Sequence, residues 1–534
     1  MKFEHASVAV GIAVSIVIGL NFGGPAFAQD QSDQQFGTMH FPTSCNEVAQ
    51  RRFDRGMRYQ HSFWYRQSKE IFEEVLKADP ECVMAYWGIA QSLLANPFNP
   101  TPAKNLADGL AAIQKARQIG SKTDRERDLI AAIGAYYAEF EKKNQRMRAQ
   151  SYLTAMEGLA ARHPDDDEIQ VYYALALNIA AAPTDKTYAN QLKAASILEP
   201  IFKRQPRHPG VAHYLIHTYD YPALAEKGLD AAQRYARIAE AAPHAQHMPS
   251  HIFTRVGYWR ESVISNGTAA NIAKSGKEPD DQLHASDYMV YAYLQMGQDQ
   301  KARDLINEMR AVTGYNPDRN TGPFARAASP ARYVVERSDW VAATQLELHA
   351  SKFGYVDAMT LFARALGHAR TGNPEAARTE RDKLAEIRTG LREANAYWSE
   401  QVEIQRQIVD AWILAAEGKH DDALKAMNAA ADAEDATEKA TVTPGPLAPA
   451  RELYGTMLLE RAMAKDALTA FEATLRKEPN RLGATIGAAR AARQAGDAER
   501  AHKHYQAAVT LNEQADSVRP EIAEARAFVA KRRP

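Results

Sequence analysis

Apolar residues along most of this chain recur at spacings of three and four within alanine-rich stretches, and alternating β-branched runs are nearly absent. That period predicts helices throughout. Prolines recur where the helical patterns end, and a small residue usually stands twelve positions earlier: Ser68 with Pro80, Ala194 with Pro206, Ala231 with Pro243, Ala467 with Pro479. Proline ends a helix because it lacks an amide hydrogen and disfavours helix in the preceding residue, while small residues are required where two helices cross closely. The fixed offset therefore predicts one helical-hairpin design used repeatedly.

Asp466-Ala467-Leu468 to Phe471, Leu475 and Pro479 gives one such unit, and Gly496, Ala501 and Tyr505 begin the next, with Ala467 and Ala501 separated by 34 residues. Trp87-Gly88 after Pro80 opens another, as do Tyr293, Gly297 and Ala302, and Trp412, Gly418 and Ala423. In these positions the chain resembles the tetratricopeptide repeat family, clearly over about 57–95, 150–310 and 405–515. The resemblance implies an all-α fold, an α-solenoid of stacked antiparallel hairpins, with a concave groove that in this family holds a protein or peptide partner. The expected organisation is a signal peptide at 1–28, an N-terminal solenoid with His-rich central repeats at 29–310, an irregular helical region at 311–404, and C-terminal repeats at 405–534. The polar, proline-containing stretch Ala433 to Pro449 reads as a long inserted loop.

The leader reading rests on Lys2, the apolar run Val8 to Phe22, and Ala26-Phe27-Ala28 before Gln29, which fits a signal-peptidase site. Export to the periplasm or medium is expected, without stable membrane insertion after cleavage. The leader, the two cysteines and the His-rich repeats together resemble exported bacterial repeat proteins of no established activity. Formal net charge is −1, from 65 basic and 66 acidic residues, which argues against nucleic acid as a partner. Cys45 and Cys82 are the only cysteines, and in an oxidising compartment an even pair invites a disulfide, two unpaired thiols being the alternative.

Six of the sixteen histidines fall between His208 and His251, where an even spread would place about one. His213 and His217 are four apart, as are His247 and His251, and the pairs are offset by 34 residues. A helix turns residues four apart to one side, so each pair can chelate one ion. Ala212, Leu215, Ile216 and Tyr219 form the opposite, core-facing side of the first helix, which leaves the histidines facing the groove. One hairpin further on stand His284, Asp287 and Tyr291. His213, His217, His247, His251, His284 and Asp287 are thus the candidate ligands for a divalent transition metal (zinc, copper, nickel or iron), with Asp220 or Asp287 able to orient the imidazoles. The alternative use of these side chains is hydrogen bonding between repeats. Pro249, between His247 and His251, leaves the register of His247 open, and His208 and His244 fall in the turns.

His61, Asp220, Tyr288, Tyr291 and Arg332 are the candidate contacts for a ligand in the groove. No HExxH helix, GxSxG elbow, phosphate loop or dinucleotide fingerprint occurs. Three functions remain open: an exported scaffold with a peptide partner, a metal-handling protein with no other cofactor, and a metal-dependent hydrolase or oxidase. No general acid or base stands out for the third, so catalytic residues are not assigned.

Overall fold

The computed structural model describes residues 35–531; the leader expected at 1–28 lies outside them. Among the described residues every regular element is a helix, from Glu47–His61 to Pro520–Ala530, and each packs on its neighbours in sequence to form an all-α solenoid. None of these helices is long and apolar enough to cross a membrane.

The hairpin logic is visible in two copies of one packing motif. Gly56 and Gly88 lie sixteen residues either side of Phe72, and Gly455 and Gly487 sixteen either side of Phe471. A methyl group on Gly88 would come within 2.7 Å of the Phe72 ring, and one on Gly487 within 2.4 Å of Phe471. The phenyl ring therefore occupies the space that two flanking helices leave by having no Cβ. Ser68, Ala194, Ala231 and Ala467, the small residues twelve positions before the prolines, are all buried.

Cys45 and Cys82 are joined as a disulfide, tying the segment before the first helix to the start of the helix Val83–Leu93. Residues 311–404 contain the helices Thr321–Glu336, Trp340–Thr344, Gly354–Arg370 and Pro374–Leu391 and the start of Ala396–Ala416, and share one apolar core with the repeats that follow. The helix His420–Asp435 runs into the stretch expected to be a loop from Ala433; its alanine-rich sequence favours helix, so the loop begins at Ala436.

A simple solenoid packs each unit only on its neighbours. Here the chain also turns back on itself. Trp259 donates its indole hydrogen to the Asn480 carbonyl at 2.8 Å, and the Leu482 amide donates to Gln295 Oε1 at 2.9 Å. Arg519 is paired with Asp299, and buried Arg481 reaches Glu336 at 2.8 Å and Tyr291 at 3.0 Å. The loop 436–449 is drawn inward as well: Lys186 donates to the Thr437 carbonyl and to Glu438, and Arg332 to the Pro446 carbonyl. The inner side of the central hairpins is consequently an interior.

Candidate metal centre

Three helical segments build the histidine cluster. The helix Pro209–Tyr219 starts with proline in its first turn, where the missing amide hydrogen costs nothing, and carries His213 and His217. The second segment, Pro243–His247 followed by Pro249–Arg255, carries His244, His247 and His251. Met248, at the junction, has φ −53° and ψ −38°, so the backbone stays helical and Pro249 sits in a first turn. His247 and His251 are therefore one helical turn apart on one face, which fixes the register that the sequence left open. The third helix, Pro279–Gln295, supplies His284.

These rings assemble into two triads. The donor atoms of His213, His217 and His244 lie within 4.8 Å of one another, as do those of His247, His251 and His284. The triads adjoin: the ring centres of His217 and His251 are 6.1 Å apart, and those of His244 and His247 are 5.9 Å apart. His213, His217, His247 and His251 are buried, while His244 and His284 are half-buried.

Hydrogen bonds settle which nitrogen of each anchored ring is free. His213 Nδ1 donates to the His61 carbonyl at 2.6 Å, a group that can only accept, so Nε2 keeps its lone pair; that Nε2 has no partner. His251 Nδ1 donates to Asp220 Oδ2 at 2.9 Å, and His247 Nδ1 to Asn266 Oδ1 at 2.7 Å. The two Nε2 atoms of His247 and His251 face each other at 3.0 Å, each with a lone pair. His217 is unpartnered at both nitrogens and His244 at Nε2. Buried polar atoms of this kind are costly unless something satisfies them. Metal-bound histidines characteristically have one nitrogen anchored and the other free, and tetrahedral imidazole ligands about 2.0–2.1 Å from an ion sit a little over 3 Å apart.

Burial pushes the imidazoles of His213, His217, His244, His247 and His284 well below the ordinary histidine range, and mutual repulsion adds to this. His251 is lowered by burial too, though Asp220 opposes the shift. The rings are thus neutral, as metal ligands must be. Burial alone would raise the Asp220 carboxyl, but Lys439 at 3.1 Å, Arg255 at 2.8 Å and His251 hold it well below the usual carboxylate range.

Aromatic rings close the surroundings. Phe63 lies 4.3 Å from His213 and 5.4 Å from His244 between ring centres, and Phe98 lies 4.5 Å from His217. Tyr288 packs on His247 at 4.8 Å, its hydroxyl held by the Thr441 and Thr443 carbonyls at 3.1 Å. Phe63 has φ of +54°, a left-handed conformation unusual outside glycine, immediately beside the cluster.

The other sequence candidates have different surroundings. Asp287 accepts from Ser329 Oγ at 2.8 Å and belongs to neither triad; burial raises its carboxyl. Three residues after His284, it is rotated about 60° around the helix, toward Thr321–Glu336. His61 and His208 flank Glu168: His208 Nε2 donates to Oε1 at 2.8 Å and His61 Nε2 to Oε2 at 3.3 Å, while Tyr214 and the Val211 amide donate to their Nδ1 atoms. All four ring nitrogens are engaged, so this third group is a hydrogen-bonded post beneath the first triad. It needs a close approach: a methyl on Gly210 would lie 2.3 Å from the His61 ring. Tyr288, Tyr291 and Arg332, expected to meet a ligand, contact the chain itself, and Arg332 lies over the Tyr291 ring.

His244, ranked as the weaker candidate because it stands directly after Pro243 and reads as a turn residue, is the third ring of the first triad. The signal was present, since His244, His247 and His251 recur at i, i+3 and i+7 on one helical face. Phe63, Phe98, Glu168 and Lys439 carried no signal; each arrives from a distant part of the chain.

No protein-family profile matches the chain, and no characterised protein sequence matches it. Solved structures with a similar course include the human IFIT1 dimer with m7Gppp-AAAA, at 13% identity over 90% of this chain and 99% of that one, TM-score 0.37. The APC/C hetero-tetramer Cut9–Hcn1 is similar at 10% identity, 91% and 95% coverage and TM-score 0.30, and the P58(IPK) TPR domain at 15%, 68% and 98%, and 0.22. These are likenesses of helical-repeat architecture.

Proposed function

We propose that this chain is a helical-repeat metalloprotein that holds two transition-metal ions side by side, one in each histidine triad. The observation that carries the reading is the His247–His251 pair: two buried Nε2 lone pairs directed at each other at 3.0 Å, with both Nδ1 atoms anchored elsewhere. Without a cation that arrangement is repulsive; with one it is a chelate. Next door His213 repeats the pattern, Nδ1 anchored and Nε2 free, and His217 and His244 add further unpartnered nitrogens. The chain is further proposed to work in an exported, oxidising setting, a reading supported by the Cys45–Cys82 disulfide. A peptide held on the inner side is less favoured, because the loop 436–449 already takes up Tyr288 and Arg332.

The test is elemental measurement on full-length protein made without a His tag and loaded with zinc. Two ions per chain are expected, with one remaining in His217→Ala, one in His251→Ala and none in the double variant. His208→Ala should keep both. A metal content indifferent to His217 and His251 would sink the proposal.

A further inference from the structure

Resting on that reading, we infer that the paired site is built for copper and binds dioxygen between two copper ions. The donor set is the first argument. Both triads are all-imidazole, with no carboxylate or thiolate among their ligands. Magnesium, calcium and manganese draw on carboxylate and other oxygen ligands, which the triads lack, whereas imidazole suits zinc, copper, iron and nickel, and the charge of the site separates these.

Charge is the second argument. Six neutral rings supply no counter-charge, and the nearby carboxylates are committed elsewhere. Asp220 is paired with both Arg255 and Lys439, Asp287 accepts from Ser329, and Glu438 takes Lys186. Arg319, which faces His244 and His284, is itself paired with Asp281. Two divalent ions bring four positive charges here and must draw anions such as hydroxide or chloride in with them to offset the desolvation cost. Two Cu(I) ions bring half as many. When dioxygen binds, each Cu(I) gives one electron, becoming Cu(II), and dioxygen takes both to become a bridging peroxide dianion. The O–O single bond remains and two copper–oxygen links form. The centre carries two positive charges before the step and two after it, so the reaction proceeds without altering the net charge of the buried site.

Access is the third. His244 and His284 are half-buried, so the cluster comes nearest to solvent at their side, and the apolar rings of Phe63 and Phe98 packed on His217 and His244 make surroundings suited to a small uncharged molecule. Adjacent triads are required: ions held in separate pockets could not share one oxygen molecule.

The test uses the full chain, made without a tag and stripped of metal. Anaerobic titration is expected to load two Cu(I) per chain. Admission of oxygen should consume one dioxygen per two coppers, produce a new near-ultraviolet charge-transfer band, and give almost no electron paramagnetic resonance, because two Cu(II) spins sharing a bridge cancel. His284→Ala, altering a half-exposed ring, should lose the band and show a full-strength Cu(II) signal. If two Cu(I) bind and oxygen is not taken up, or oxidation yields two independent Cu(II) signals, the inference fails while the two-metal reading stands. If neither Cu(I) nor zinc binds in stoichiometric amount, the two-metal reading fails, and the inference with it.

Discussion

His247 and His251 face each other through their Nε2 atoms at 3.0 Å, and each is held there by a hydrogen bond on its far side, from Nδ1 to Asn266 and to Asp220. The helix places the two rings on one face, and the far-side acceptors choose the tautomer that leaves a lone pair pointing inward. Asp220 itself caps the end of the helix Pro209–Tyr219 and is gripped by Arg255 and by Lys439 of the inserted loop.

Asp220→Asn is expected to weaken ion binding in the second triad by about 10–100-fold, the usual effect of losing a carboxylate behind a ligating histidine. Binding in the His213/His217/His244 triad should weaken far less, since Asp220 hydrogen-bonds none of its rings and acts on His217 only through its charge. Competition with a chromophoric chelator resolves the two sites, and equal weakening of both would contradict this assignment.

The metal-free protein should lose stability as pH falls below 6.5, the ordinary histidine value. The buried imidazoles have folded pKa values below that of the unfolded chain, so the unfolded state binds more protons in this range and acid favours it. Stability is full above pH 6.5 and declines below it. Thermal melts of the apo protein at about pH 7.5 and about pH 5.5 should differ by several degrees, and metal should widen the gap because it binds only the neutral rings. Equal melting temperatures would show that the rings are not buried and neutral.

Glu168 works in the opposite direction. Burial alone would raise its carboxyl, but His208 and His61 overcome this and bring it down to about 2, from an ordinary 4.5. Its contribution is present above pH 4.5 and fades as pH falls toward about 2. Glu168→Gln removes two buried hydrogen bonds that His208 and His61 donate to a carboxylate, and a loss of about 1.5–3 kcal/mol is expected in denaturant unfolding. Metal content should persist, because this post lies outside both triads; loss of metal without loss of stability would mean that Glu168 is a ligand.

Gly487→Ala should destabilise by about 1–3 kcal/mol, since the added methyl meets Phe471 at 2.4 Å. Gly390→Ala, on the helix Pro374–Leu391, meets nothing within 4 Å and should stabilise by about 0.5–1 kcal/mol. Chemical denaturation of the two variants beside the parent checks both signs.

Much of this was legible in the sequence. A spacing of three and four with prolines at a fixed offset dictates helical hairpins, because helix geometry and the lack of an amide hydrogen on proline are properties of the chain itself. The same local geometry makes His213 with His217, and His247 with His251, side-by-side pairs. What completes each pair is a different matter. His244 joins the first pair from the next hairpin and His284 joins the second from the one after, while Asp287, an equally plausible ligand by position, turns to Ser329. Those choices depend on the angle at which successive hairpins stack. The closure of the site depends on residues far away in sequence: Phe63 and Phe98, and the loop that brings Lys439 to Asp220 across more than two hundred residues. Local period fixes which side chains share a helical face; only the packing of distant segments decides which faces meet, and whether they meet in water or in an interior.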